Sequence, residues 1–223
     1  FKYKVKIYSF VMKFYSTATF FVLLICAVSG AKKSIDSGEC GNLDLNFVNR
    51  IWSLLSADTT LKKSDDCLSV TQLLVHAKSI SSYPQAIPDQ FKTKLENLLY
   101  TLFDKNNNKV IEENEMLRYL DTLIPNQGKE LYNIYFHGKQ ESIIVQFMNL
   151  IRHTSEHIIN EMNADKNDCI SLEEFKSGMC TSIDRIINLT YQIMDENNDK
   201  SIVLEELKSL FINIINWSTN ILQ

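Results

Sequence analysis

Glycine and proline are scarce, with six and three residues in a chain of 223. There is no Gly-rich phosphate loop, no G-x-S-x-G turn and no C-x-x-C pair. Phosphate-cradling, α/β-hydrolase and dithiol redox chemistry therefore have no motif to rest on. A basic surplus is missing too: 23 Lys and Arg stand against 27 Asp and Glu, a formal charge of −4. That balance argues against a nucleic-acid partner. The apolar run near the N-terminus, from about Ala18 to Val28, is too short for a comfortable membrane span.

That run has a different use. Met12-Lys13 followed by TATFFVLLICAVSG reads as a secretory signal over residues 12–30, with small residues at Val28 and Gly30, or Ser29 and Ala31, for cleavage. Residues 1–11 read as translated upstream sequence. An uncleaved anchor is the alternative; after cleavage no stable membrane span is expected. Removing residues 1–30 takes four lysines and no acidic residue, leaving a formal charge of −8. Secretion to the extracellular space is the expected localisation, since the tail Asn220-Ile221-Leu222-Gln223 lacks an ER-retention tetrapeptide. Two sequons, at Asn188 and Asn216, are compatible with it.

Cys26 leaves with the signal, so Cys40, Cys67, Cys169 and Cys180 remain. Four cysteines allow three connectivities. Cys169 and Cys180 are separated by about two helical turns, too far for a disulfide. Either remaining arrangement is crosswise and ties the two halves of the chain together. Free thiols are the alternative.

The richest signal is a spacing of oxygen side chains that recurs three times in the last 120 residues. DKNNNKVIEENE places Asp104, Asn106 and Asn108 at positions 1, 3 and 5, the Val110 carbonyl at 7 and Glu115 at 12. NADKNDCISLEE places Asn163, Asp165 and Asn167, the Cys169 carbonyl and Glu174. DENNDKSIVLEE places Asp195, Asn197 and Asp199, the Ser201 carbonyl and Glu206. Calcium takes six to eight oxygens, and a twelve-residue loop with three short side chains, one carbonyl and a bidentate Glu supplies them. Position 9 varies: Glu112 could bind directly or through water, Ser171 is neutral, and Val203 leaves the corner to water. Affinity rises with ligand charge, and the middle loop brings only Asp165 and Glu174, so it is expected to be weakest.

Apolar residues at 3–4 spacing flank each loop, which predicts helices on both sides. The helix entering the middle loop is expected from about Glu141 to Met162. Over roughly residues 90–215 the loops resemble the EF-hand family, helix–loop–helix calcium sites of the calmodulin type. The resemblance implies calcium as cofactor and partner. One departure recurs: position 6, normally Gly, is Lys109, Asp168 and Lys200. That turn favours positive φ, which a side chain makes costlier by very roughly 1 kcal/mol. Weakened affinity is expected, not lost binding.

EF-hands pair, so the resemblance implies a fourth copy, and upstream stands a decayed one. Leu61–Leu73 aligns without gaps to Asn163–Phe175, sharing Asp66, Cys67 and Ser69 with Asp168, Cys169 and Ser171. Its metal positions are gone, with Leu61, Lys63 and Gln72 at 1, 3 and 12. It reads as a degenerate hand expected to pair with the Asp104 loop. The expected fold is all-α: two EF-hand pairs in two lobes, residues 42–124 and 141–220. They are joined by a linker at 125–140, whose Tyr132, Tyr135 and Phe136 should pack between the lobes or in a short helix.

His153-Thr154-Ser155-Glu156-His157 spells H-x-x-E-H, a zinc-protease motif on a helix. With no other feature building a cleft, it reads as a solvated helix face, and no enzyme is expected. The expected function is a secreted calcium-binding protein in which calcium is mainly structural or buffered. The alternative is a sensor that exposes an apolar groove to a protein partner. The few methionines on the faces lean towards the former.

Overall fold

The computed structural model describes residues 45–206, apart from 65, 196, 198 and 205. The signal segment, Cys40 and the sequon at Asn216 lie outside the described residues, as does the apolar stretch Leu207–Ile215 expected to leave the third loop. Helices α1 (Leu45–Ala57), α2 (Val70–Ser79), α3 (Tyr83–Ala86) and α4 (Asp89–Phe103) come first. They are followed by α5 (Glu113–Leu123), α6 (Gly128–Tyr135), α7 (Ile143–Met162) and α8 (Leu172–Met194). Strands β1 (Lys62–Ser64), β2 (Cys67–Leu68) and β3 (Ile170–Ser171) form one antiparallel sheet in that order. The described residues are thus mostly helical, as expected, with a small sheet added where loops meet.

Local sequence sets the boundaries. Ser69 caps α2 by accepting from the Gln72 amide at 3.3 Å. Ser171 caps α8 through the Glu174 amide at 3.3 Å, and Glu174 returns the bond to the Ser171 amide at 3.0 Å. Such a reciprocal box satisfies two of the donors that a helix start leaves open. The two serines matched in sequence therefore perform the same structural task. Helix α4 follows Pro88 and carries Asp89 in its first turn, where the fixed φ and the negative charge both favour a helix start.

Helix α7 is the hub, packing against α2, α3, α4, α6 and α8. The main core joins Phe103, Ile111, Met116, Tyr119, Leu120, Ile124, Leu131 and Phe147, with Leu189 and Ile193 of α8 against it. Phe103 stands edge-on to Tyr119 at 5.2 Å and meets Phe147 at 4.9 Å. Full burial of each such side chain contributes about 1.5–3 kcal/mol, so the start of the Asp104 loop is rooted in the core. Where α7 and α8 cross, a Cβ on Gly178 would sit 2.2 Å from Met162 Cγ. Only glycine permits that approach, which brings together the two helices bounding the middle loop.

Residues 125–140 contain the short helix α6, and Tyr132, Tyr135 and Phe136 are buried. Phe136 packs edge-on against Phe147 at 5.3 Å, so the aromatics of the expected linker belong to the core. The expected partner of the Leu61–Leu73 stretch is corrected. Its strand β2 pairs not with the Asp104 loop but with β3 of the middle loop, Cys67 opposite Ser171 and Leu68 opposite Ile170. The physical reason is apolar: Leu68 and Ile170 are both fully buried, and Trp52 of α1 packs on Phe175 of α8 at 5.3 Å. Among the described residues no helix is long and apolar enough to cross a membrane.

Candidate metal centre

The Asp104 and Asp195 loops share six internal hydrogen bonds. Asp104 ends α4 and Asp195 ends α8, as their C-caps. In the first loop, Asn108 N–H donates to Asp104 Oδ1 at 3.1 Å and Lys109 N–H to Oδ2 at 2.7 Å. In the other, Asp199 N–H donates to Asp195 Oδ1 and Lys200 N–H to Oδ2, both at 3.0 Å. Asn106 Oδ1 accepts from Asn108 N–H at 3.0 Å, and Asn197 Oδ1 from Asp199 N–H at 2.8 Å. Val110 N–H reaches Asn108 Oδ1, and Ser201 N–H reaches Asp199 Oδ1, each at 2.8 Å.

The closing glutamates follow the same plan. Glu115 Oε1 accepts from Asn106 N–H at 3.3 Å and Oε2 from Glu112 N–H at 2.9 Å. Glu206 Oε1 accepts from Asn197 N–H at 3.3 Å and Oε2 from Val203 N–H at 3.0 Å. Both loops turn at a lysine in the left-handed region, Lys109 at φ 62° and Lys200 at φ 65°.

Burial gives these bonds their meaning. Asp104, Glu115, Asp195 and Glu206 are 3%, 8%, 3% and 9% exposed. Among the described residues no Lys, Arg or His forms an ion pair with any of them. Backbone amides relieve part of the cost, yet buried carboxylates ordinarily have a cation or a metal as partner. Each loop thus holds two buried carboxylates and two short side chains turned onto its own amides. Among the described residues no three Asp, Glu, His or Cys side chains group as a metal shell. Carboxylate and side-chain amide oxygens, the kinds these loops carry, are what a hard cation takes. Glu112 adds a charge to the first loop, its carboxylate accepting from Asn108 Nδ2 at 3.0 Å and Asn106 Nδ2 at 3.3 Å.

The middle loop departs from that plan. Asn163 Oδ1 is buried without a hydrogen-bond partner, whereas the first residue of the other loops gathers two amides. Asn167 N–H keeps the bond to the third residue, Asp165 Oδ1 at 3.1 Å, the counterpart of those at Asn106 and Asn197. Glu174 keeps its place, accepting from Ala164 N–H at 3.1 Å and from Ser171 N–H at 3.0 Å. The Ser171 amide is foremost in holding its carboxyl below the usual 4.5. The loop has its positive φ at Lys166, and Asp168 is not in the left-handed region, which corrects the expectation for position 6.

The partners of Asp168 come from β1 and the first turn of α2. Asp168 Oδ1 accepts from Thr71 N–H at 2.7 Å, and Lys63 Nζ lies 3.3 Å from Oδ2 and 3.0 Å from the Asp168 carbonyl. The Thr71 bonds come first in holding the Asp168 carboxyl below its usual 3.8. Cys67 and Cys169 are joined in a disulfide with their Cα atoms 5.4 Å apart, one of the crosswise pairs left open by the sequence. Cys180 is disulfide-bonded as well.

Two supports went unread in the sequence. Tyr132 Oη donates to the Ile111 carbonyl at 3.2 Å, and Tyr191 Oη to the Lys200 carbonyl at 2.6 Å. Each tethers a loop from a helix outside it, and neither spacing carries a motif. The H-x-x-E-H residues serve different partners. His153 Nδ1 shares a hydrogen bond with Tyr135 Oη at 2.6 Å, while His157 Nε2 lies 3.1 Å from Glu161 Oε1. Burial pushes the Tyr135 hydroxyl up. Compared with known proteins, the chain matches no family model, no curated protein and no solved structure.

Proposed function

We propose that this chain is a secreted calcium-binding protein of the EF-hand type, with calcium mainly structural or buffered. Asp104, Asn106, Asn108, the Val110 carbonyl and Glu115 would hold one ion; Asp195, Asn197, Asp199, the Ser201 carbonyl and Glu206 would hold another. Asn163, Asp165, Asn167, the Cys169 carbonyl and Glu174 form the weakest of the three sites. One observation carries this reading: four buried carboxylates, two in each of two loops that share six internal hydrogen bonds, with no ion pair to a basic side chain among the described residues. Bringing a divalent cation to such a pair offsets the cost of their burial.

Calorimetric calcium titration of the chain, with excess magnesium present, tests the proposal. The expected result is binding that loses one site in Glu115→Gln and another in Glu206→Gln. Extracellular calcium is abundant enough to fill sites of the weak, 10⁻⁴–10⁻³ M class typical of modules outside the cell, and affinities near or weaker than about 10 μM are expected. A titration without heat or saturation in the unmodified chain would end the proposal.

A further inference from the structure

We infer that the Leu61–Leu73 segment latches the middle loop in a conformation poor for calcium, with Asp168 as the latch and Lys63 as its cation. The inference rests on the calcium reading of the Asp104 and Asp195 loops and adds a specificity-determining contact to it.

Position 6 decides the shape of a twelve-residue loop. In the two matched loops that residue enters the left-handed region and its amide closes onto the first carboxylate. In the middle loop the same residue is drawn outwards. Its carboxylate accepts from the Thr71 amide at 2.7 Å and from Ser69 Oγ at 3.4 Å, and pairs with Lys63 at 3.3 Å. These partners all come from a segment about 100 positions upstream.

Two further links hold the arrangement. The Cys67–Cys169 disulfide joins the seventh residues of the two aligned segments, and the β2–β3 ladder pairs the eighth, Leu68 with Ile170. Within the middle loop the consequence is visible at Asn163, whose Oδ1 is buried without the amide donors that serve Asp104 and Asp195.

A calcium ion entering this loop meets an ammonium group already seated beside it. The ion would also have to draw position 6 back against the Thr71 bond. Lys63 occupies the third position of its own segment, where the binding loops carry Asn or Asp. A basic residue at a former ligand position thus serves the neighbouring loop as a fixed internal cation. The latch adds a second cause of weakness to the low ligand charge of the middle loop.

Calorimetric titration with calcium chloride separates the outcomes. The unmodified chain is expected to show two sites, with the third weaker by about a hundredfold. Asp168→Gly removes the latch and supplies a residue at ease in the left-handed turn, and should tighten the third site by about tenfold or more. Adding Glu174→Gln to that variant should abolish the gain. Lys63→Met leaves the turn untouched and should tighten the same site by about two- to fivefold. Three equivalent sites in the unmodified chain, or two sites persisting in both Asp168→Gly and Lys63→Met, would overturn the latch and leave the calcium reading standing. Absence of binding in the unmodified chain and in both variants would overturn both.

Discussion

The Lys109 amide donates to Asp104 Oδ2 at 2.7 Å from a backbone turned to φ 62°. The bond and the turn require each other, because only a left-handed sixth residue aims its N–H at the first carboxylate. Lysine makes the turn at a cost that glycine avoids. An L-residue in this region is disfavoured by about 1–2 kcal/mol, while glycine gives back about 0.5–1 kcal/mol in unfolded-chain entropy. Lys109→Gly is therefore expected to stabilise the chain by about 0.5–1 kcal/mol and to tighten calcium about two- to fivefold. Lys200→Gly should behave alike, its φ being 65°. Lys109→Met keeps the backbone cost and should give the smaller part of the gain. Thermal unfolding and calcium titration of the three variants check this; glycine variants no better than Lys109→Met would refute it.

The Cys67–Cys169 disulfide spans 102 positions of the chain. A cross-link of that span restricts the unfolded ensemble strongly, and native disulfides of this kind typically stabilise by about 2–4 kcal/mol. The paired replacement Cys67→Ala with Cys169→Ala should lower unfolding stability by about that amount. Urea unfolding measures it directly. A loss below about 0.5 kcal/mol would mean that the buried Leu68–Ile170 ladder alone holds the two segments together.

Much of this was legible in the sequence, for physical reasons that differ by element. The helices on both sides of the first two loops, and the one entering the third, were readable because apolar residues such as Leu95, Leu98, Leu99 and Leu102 recur at helical spacing. The kinship of Leu61–Leu73 to the middle loop was readable from Cys67 and Ser69, and both residues carry out matching tasks. What paired with what was not readable. Leu68 offers the same apolar side chain to Ile111 as to Ile170, and only packing of distant helices decides between them. The role of Asp168 was hidden for a related reason. Its position marks it as a turn residue, while its partners Thr71 and Lys63 are 97 and 105 positions away.

Glu161 of α7 accepts from both terminal nitrogens of Arg185 on α8, at 2.6 and 3.0 Å. That paired bond is foremost in holding the Glu161 carboxyl below its usual 4.5. A carboxyl with a depressed folded-state pKa stabilises fully above its unfolded value, and the stabilisation is lost as pH falls through the folded value. Glu161 is more than a third exposed, so solvent screening limits the contribution to about 0.5–1 kcal/mol. Arg185→Met retains an apolar stem against α7 and removes the charge. At neutral pH the variant should be less stable by that margin, and the gap should close as pH falls through the depressed folded value and Glu161 protonates in both proteins. Urea unfolding of the two chains at pH 7 and pH 3 reads the difference. A gap that persists unchanged at pH 3 would assign the role of Arg185 to packing of its stem, not to its charge.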